Sequence, residues 1–194
     1  MSSKFFNHTG SIDVITGCMF SGKTTELIRR ITTYKKEGKN TIIFKPAIDV
    51  RFHTENIVSH DGNTMPCIPI TYSRQILEHN STSGIIGIDE AQFLDDEITT
   101  VCHTLVAQGK VVIIAGLDMD FKANPFGPMA ELLNMANSIT RLRALCIVCN
   151  KPASHTFKKT SSSQIIEIGE TDIYEARCFD CFEKGYKNSV LTND

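Results

Sequence analysis

Residues Gly17-Cys-Met-Phe-Ser-Gly-Lys-Thr24 read G-x-x-x-x-G-K-T, and no other stretch constrains the fold of this chain as strongly. The pattern describes a loop that wraps a phosphate and aims backbone N–H groups at it. Gly17 and Gly22 let the backbone curl, and Cys18, Met19, Phe20 and Ser21 add the intervening N–H groups. Lys23 reaches the β- and γ-phosphates, and the Thr24 hydroxyl is suited to ligate Mg²⁺. The flanks fit as well. Ser11–Thr16 has the pattern of a buried strand, and Thr25–Tyr34 has helical period. A helix starting there adds the positive end of its dipole to the anion site.

The expectation that follows is an α/β fold. Thr41–Phe44, Gly84–Ile88 and Val111–Ala115 are short apolar runs, and they alternate with amphipathic segments at Asp95–Gln108 and Pro128–Ala136. Such alternation predicts a P-loop-type parallel sheet with helices on both faces. Gly38 and Gly109 are placed to end helices. Lys45 to Asp61 reads as a long irregular loop, and Thr64–Ile70 as an edge strand because of Pro66 and Pro69. Tyr72–His79 reads as a short helix and Ile139–Leu145 as a last strand. We expect residues 1–10 to be an N-terminal extension, 11–145 the P-loop α/β core, 146–185 a small metal-held lobe and 186–194 a loose tail.

Cysteine usage defines the lobe. Four of the seven cysteines form two C-x-x-C pairs, Cys146/Cys149 and Cys178/Cys181, a donor set for tetrahedral Zn²⁺. With four thiolates and no H-x-E element beside them, the site reads as closed and structural. His155 is an alternative ligand. Zinc would pin both ends of the intervening segment, which would then act as a lid. Cys18, Cys67 and Cys102 read as buried small hydrophobes. The 194 residues carry a formal charge of −2, which argues against a nucleic-acid or membrane partner. Met1–Gly10 has no apolar core, and the longest apolar run, Val111–Ala115, is far too short to span a bilayer. A cytoplasmic protein is expected.

A P-loop requires a second acidic element, normally an Asp at the end of a buried strand. Asp89, after Ile85-Ile-Gly-Ile88, fits as the Mg²⁺ acid, and Glu90 beside it fits as a general base. Phosphoryl transfer needs alignment and charge neutralisation, so one more cation is sought. Arg51, with Asp49 nearby in the loop after the second strand, is the candidate. Leu117 and Phe121 follow a buried strand, where a parallel sheet places its ligand. Asp118 and Asp120 either contact that ligand or shape the turn.

These residues resemble the type II thymidine kinases, the cellular and bacterial class with a P-loop core and a zinc-held lasso. The resemblance rests on the P-loop, Phe44-Lys-Pro46 with Asp49 and Arg51, Ser59-His-Asp-Gly62, Asp89-Glu-Ala-Gln-Phe93, Gly116-Leu-Asp118, Pro125-Phe-Gly127 and both cysteine pairs, in family order from about residue 11 to 182. It implies ATP on the P-loop and Gln92, with Glu90, Lys23 and Arg51 as catalytic residues. Deoxythymidine would lie under the lasso. Met19, Asp49, Phe93, Leu117, Phe121 and Tyr174 would surround it, and Ile165, Ile166, Glu167, Ile168 and Gly169 would meet the base through their backbone. It further implies inhibition by dTTP and a homotetramer. Two positions depart from the pattern: Cys18 stands where proline or a small residue is expected, and Leu94 where a second phenylalanine is common. A competing reading is a P-loop ATPase whose zinc lobe grips nucleic acid. Lys158, Lys159, Arg177 and Lys184 are too scattered to form the basic stripe this would need. A kinase for deoxyuridine or deoxycytidine is a third reading.

Overall fold

The computed structural model describes residues 10–49, 55–58, 62–79, 82–160 and 172–191, with side chains described through residue 187. Its centre is a parallel sheet. Strands β1 (Ser11–Thr16), β2 (Thr41–Pro46), β5 (Ile68–Ile70), β6 (Ile85–Ile88), β7 (Val111–Gly116) and β8 (Ser138–Arg141) lie in the order β5-β2-β6-β7-β1-β8. All five pairings are parallel, so every carboxyl end of these strands faces one edge. Crossover helices make this possible, since parallel strands cannot be joined by a tight turn.

Side-chain alternation sorts the core into two halves. On one face Ile12, Val14, Ile86, Ile88, Val112 and Ile114 pack against α3 (Glu97–Ala107) and α4 (Met129–Met135). On the other, Ile15, Ile43, Ile85, Ile113 and Ala115 pack against Leu27, Ile28 and Ile31 of α1 (Lys23–Lys36). Gly87 lies where a Cβ would come within 3.2 Å of both Ile31 and Ile43, so α1 can seat close to the sheet. The α/β expectation is thus met, with helices on both faces.

The sequence reading and the structure differ in several places, among them a strand at Asn56–Val58 inside the stretch read as an irregular loop. Thr64–Ile70 is two strands: β4 (Thr64–Pro66) forms a hairpin with β3 (Asn56–Val58), while β5 is the sheet edge. Cys67 lies between them, and its N–H donates to the Glu55 carbonyl (2.9 Å). The short helix α2 spans only Gln75–His79, because the Gln75 side chain accepts the N–H groups of Thr71 and Tyr72. Ile139–Leu145 is also split. The Leu142 N–H donates to Thr16 O at 2.7 Å, and the Leu142 carbonyl presses on Gly17, which has room for no Cβ there. The chain then leaves the sheet, and β9 (Ala144–Leu145) pairs with β10 (Pro152–Ala153) instead. Finally, the expected tail is helical as far as Leu191, where α5 (Phe179–Leu191) ends. It is held to hairpin β11 (His155–Lys158) and β12 (Tyr174–Arg177) by Arg177. That guanidinium lies 3.4 Å over the Phe157 ring and donates to the Cys181 carbonyl, and Gly185 leaves the space it fills.

Candidate active site

The carboxyl ends of β1, β6 and β7 converge on one set of polar side chains. After β1 the chain enters the P-loop through Gly17 (φ 149°), Phe20 (φ 65°) and Gly22 (φ 85°). A phenylalanine in the left-handed region is strained, and such strain gathers where a loop must hold a particular shape. Lys23 is buried, and its ammonium spans the loop to donate to the Cys18 carbonyl (3.0 Å). The Ser21 hydroxyl is buried with no hydrogen-bond partner among the described residues. An orphaned buried hydroxyl in the same loop as a buried lysine fits an anion.

Asp89 follows β6 and is 5% exposed, and its carboxylate accepts the Thr24 hydroxyl (3.0 and 3.3 Å) and the Glu90 N–H (3.1 Å). The Thr24–Asp89 pair sits where a P-loop protein holds Mg²⁺, with the two donors already within reach of each other. Glu90 takes φ 51°, a second strained residue at the site. Its carboxylate accepts from the Gln92 amide nitrogen, and the Gln92 oxygen accepts the Leu117 N–H (3.0 Å). Gln92 is 2% exposed. The amide orientation follows from chemistry, because the carboxylate can only accept and the N–H can only donate. Gln92 is assigned to nucleotide binding by resemblance. Its side chain bridges Glu90 to the loop after β7. Gly127 (φ 50°) abuts the Gln92 carbonyl so closely that a Cβ would collide.

That loop carries Leu117, which is buried, and Phe121, which is half-buried. Asp120 settles one open choice: its carboxylate accepts the N–H groups of Lys122 (2.8 Å) and Asn124 (2.9 Å), so it shapes the turn. Asp118 pairs with Arg141 at 3.3 Å. Phe93 meets Phe126 edge-on at 5.5 Å, tying the Asp89-Glu90 segment to the same loop. Asp49 turns back at the end of β2, its N–H donating to Pro46 O (3.0 Å). Arg51 and the segment Ile165, Ile166, Glu167, Ile168 and Gly169 lie outside the described residues.

The four cysteines of the lobe come together as their spacing predicts. One ligand sulfur from each of Cys146, Cys149, Cys178 and Cys181 lies within 4.8 Å of the others. Burial works against a Cys146 thiolate, but N–H groups of Cys178, Val148 and Cys149 outweigh it and bring its pKa down to about 6. Four clustered sulfurs, one favoured as thiolate, fit Zn²⁺. His155 is turned elsewhere, its ring tilted against Phe182 (4.7 Å) and bonded to the Ser154 hydroxyl (2.9 Å). By contrast, burial pushes the Cys67 and Cys102 thiols up to about 11 and 12, as inert core residues should be.

Sequence reasoning missed how the lobe joins the P-loop. The Cys18 thiol donates to the Ala153 carbonyl (3.5 Å) and packs with Cys146, Ala153, Ala176 and Cys178. The Met19 N–H donates to the Thr156 hydroxyl (3.0 Å). Tyr174 is buried on β12, opposite Lys158. The one local signal was the polar alternation His155-Thr-Phe-Lys158, in which Thr156 and Lys158 share the buried face.

Comparison with known proteins agrees with this geometry. The family model described as thymidine kinase matches residues 10–182. A thymidine kinase of Bacteroides thetaiotaomicron is 46% identical over 173 residues, covering 89% of this chain and 87% of that protein. Thymidine kinases of Porphyromonas gingivalis (44% over 175 residues, 90% and 86%) and Bacteroides fragilis (45% over 175, 90% and 88%) match as fully. The chain therefore belongs to the thymidine kinase family, as a bacterial-type phosphotransferase built on a P-loop sheet with a four-cysteine lobe.

Proposed function

We propose that the chain transfers the γ-phosphate of ATP to the 5′-hydroxyl of deoxythymidine, giving dTMP and ADP, with Glu90 as general base. The observation that carries this is the meeting of Lys23, the Thr24–Asp89 pair and Glu90 at the carboxyl ends of β1 and β6, the two strands that flank β7. The P-loop N–H groups and the Ser21 hydroxyl hold the phosphate chain, and Lys23 exchanges its Cys18 contact for the β- and γ-phosphates. Thr24 and Asp89 would hold Mg²⁺, which supplies charge neutralisation across those phosphates when bound. Glu90, oriented by Gln92, takes the proton of the 5′-hydroxyl. That oxygen bonds to the γ-phosphorus while the bond to the β–γ bridging oxygen breaks, and the electron pair leaves with ADP. Arg51 is the further cation for the transferring group, with Asp49 beside it.

Met19, Phe93, Leu117, Phe121 and Tyr174 form the nucleoside pocket in this reading, and the 165–169 backbone hydrogen-bonds the base. Cys146, Cys149, Cys178 and Cys181 would hold a structural Zn²⁺, which fixes the hairpin that closes the pocket. No helix among the described residues is long and apolar enough to cross a membrane. A cytoplasmic enzyme, a homotetramer and inhibition by dTTP complete the proposal.

The test is ADP release measured with ATP, Mg²⁺ and each deoxynucleoside in turn. Turnover with thymidine, little with deoxycytidine or purines, and inhibition by dTTP are expected. Glu90→Gln should bind both substrates yet lose at least about a hundredfold in kcat. ADP release indifferent to nucleosides but raised by nucleic acid would refute the proposal.

A further inference from the structure

Lys158 is a buried lysine, 7% exposed, and it belongs to the lobe rather than the core. Its Nζ stands over the Phe121 ring, 4.9 Å from the centroid. In the hairpin it lies directly across from Tyr174, so the two share one buried face. Thr156, two residues earlier on that face, receives the Met19 N–H. The face thus meets Met19 and Phe121 and carries Tyr174, the residues proposed above to surround the nucleoside.

A ring face attracts an ammonium through its quadrupole. The attraction is directional. It holds the ring plane square to the ammonium, where an apolar neighbour would let the ring tilt. Phe121 sits on a loop whose turn is fixed by Asp120; the Lys122 ammonium of that loop lies 5.6 Å from the ring centroid, so Lys158 is the nearer of two cations over the ring.

We propose that Lys158 is a positioning residue for substrate specificity: from the cysteine-held lobe it fixes the Phe121 ring as a wall for a planar nucleobase. This rests on the reading of Phe121 as a pocket wall. The role predicts an effect on nucleoside recognition that is separate from handling of ATP. It also makes the lobe a reader of the base through a cation that never contacts it.

The experiment is steady-state kinetics on Lys158→Met, Lys158→Arg, Phe121→Leu and the Met/Leu double variant, each checked for four-cysteine metal content and thermal unfolding. Lys158→Met keeps the volume and removes the charge, and should raise the thymidine KM about tenfold while the ATP KM stays within about twofold. Lys158→Arg keeps a cation that stacks on the ring, and should stay within about threefold of the parent. Phe121→Leu should raise the thymidine KM as well, and adding Lys158→Met to it should change little, since the pair acts as a unit. A Lys158→Met effect that persists in full on the Phe121→Leu background overturns the proposal, as does a parallel rise in the ATP KM. If Phe121→Leu raises the thymidine KM and Lys158→Met does not, the positioning role fails while the pocket reading stands. If Phe121→Leu leaves it unchanged, the pocket reading fails and takes the proposal with it.

Discussion

Replacing Gln92 with methionine should show how the base is held. The amide makes two bonds, donating to Glu90 and accepting the Leu117 N–H at 3.0 Å, in a site only 2% exposed. Methionine fills nearly the same volume, so the cavity contribution is small. What is lost is polar. A bond to an ionised carboxylate contributes about 1.5–3 kcal/mol, and a buried N–H left without an acceptor costs about 1–3 kcal/mol. Because Glu90 can partly rehydrate, a net loss near 3 kcal/mol is expected. For a chain of this size that lowers the melting temperature by about 6–12 °C. Glu90 also loses the contact that aims it, and a misplacement of order 1 Å costs about a hundredfold in rate. Gln92→Glu separates the two arms. It still accepts the Leu117 N–H, but sets a second carboxylate against Glu90, so kcat should fall while the thymidine KM changes little. Thermal unfolding followed by circular dichroism, with coupled ADP-release kinetics, reads both effects. A Gln92→Met enzyme melting within about 2 °C of the parent, with kcat within about twofold, would refute the bridging role.

Two further outcomes are expected. Cys178→Ser should release the metal of the four-sulfur cluster and loosen the packing of Cys18, Cys146 and Ala153, so thymidine binding should weaken more than ATP binding; metal analysis with calorimetry checks this, and a metal-free variant with unchanged thymidine affinity would sink it. At low pH the start of α1 should weaken. Glu26 accepts from Arg29 (2.6 Å) and Arg30 (2.8 Å), and the Arg29 bond leads in lowering its pKa from 4.5 to about 2. A depressed carboxylate stabilises the folded state above its unfolded pKa and loses that contribution as pH falls, here from about 4.5 towards 2. Acid unfolding curves of the parent and Glu26→Gln should therefore differ near neutrality and converge by about pH 2.

What could be read from the sequence was what is local in sequence. Lys23 and Thr24 belong to one loop, and Asp89 and Glu90 to one strand end, so their types and spacing placed them together. The apolar runs of β1, β2, β6 and β7 were legible because strands covered on both faces need no polar alternation. The Gln92 bridge was not legible, because its partner Leu117 is 25 residues away and any buried amide reads alike. The Met19–Thr156 bond crosses 137 positions. Helix α5 was missed because Gly185 and the polar run around it weaken helical period, whereas the Arg177–Phe157 stack supplies the reason for a glycine there. The split at Leu142 depends on how closely the chain passes Gly17, which no local pattern encodes.

Cys18 shows why the lobe and the loop have to be considered together. As a P-loop residue it departs from the pattern, which favours proline or a small residue at that position. As a lobe residue it is well placed, since its thiol meets the Ala153 carbonyl and its side chain closes the apolar cluster behind Cys146 and Cys178. The neighbouring Met19 N–H is held by Thr156 from the same lobe. The phosphate loop therefore borrows part of its shape from the cysteine-held hairpin, and that hairpin meets Phe121, the proposed nucleoside wall, through Lys158. A perturbation of the cysteine cluster should then reach both substrates. The nucleoside should lose more, because Phe121 leans on the lobe directly, whereas the P-loop is also held by β1, by α1 and by the Lys23 contact within it.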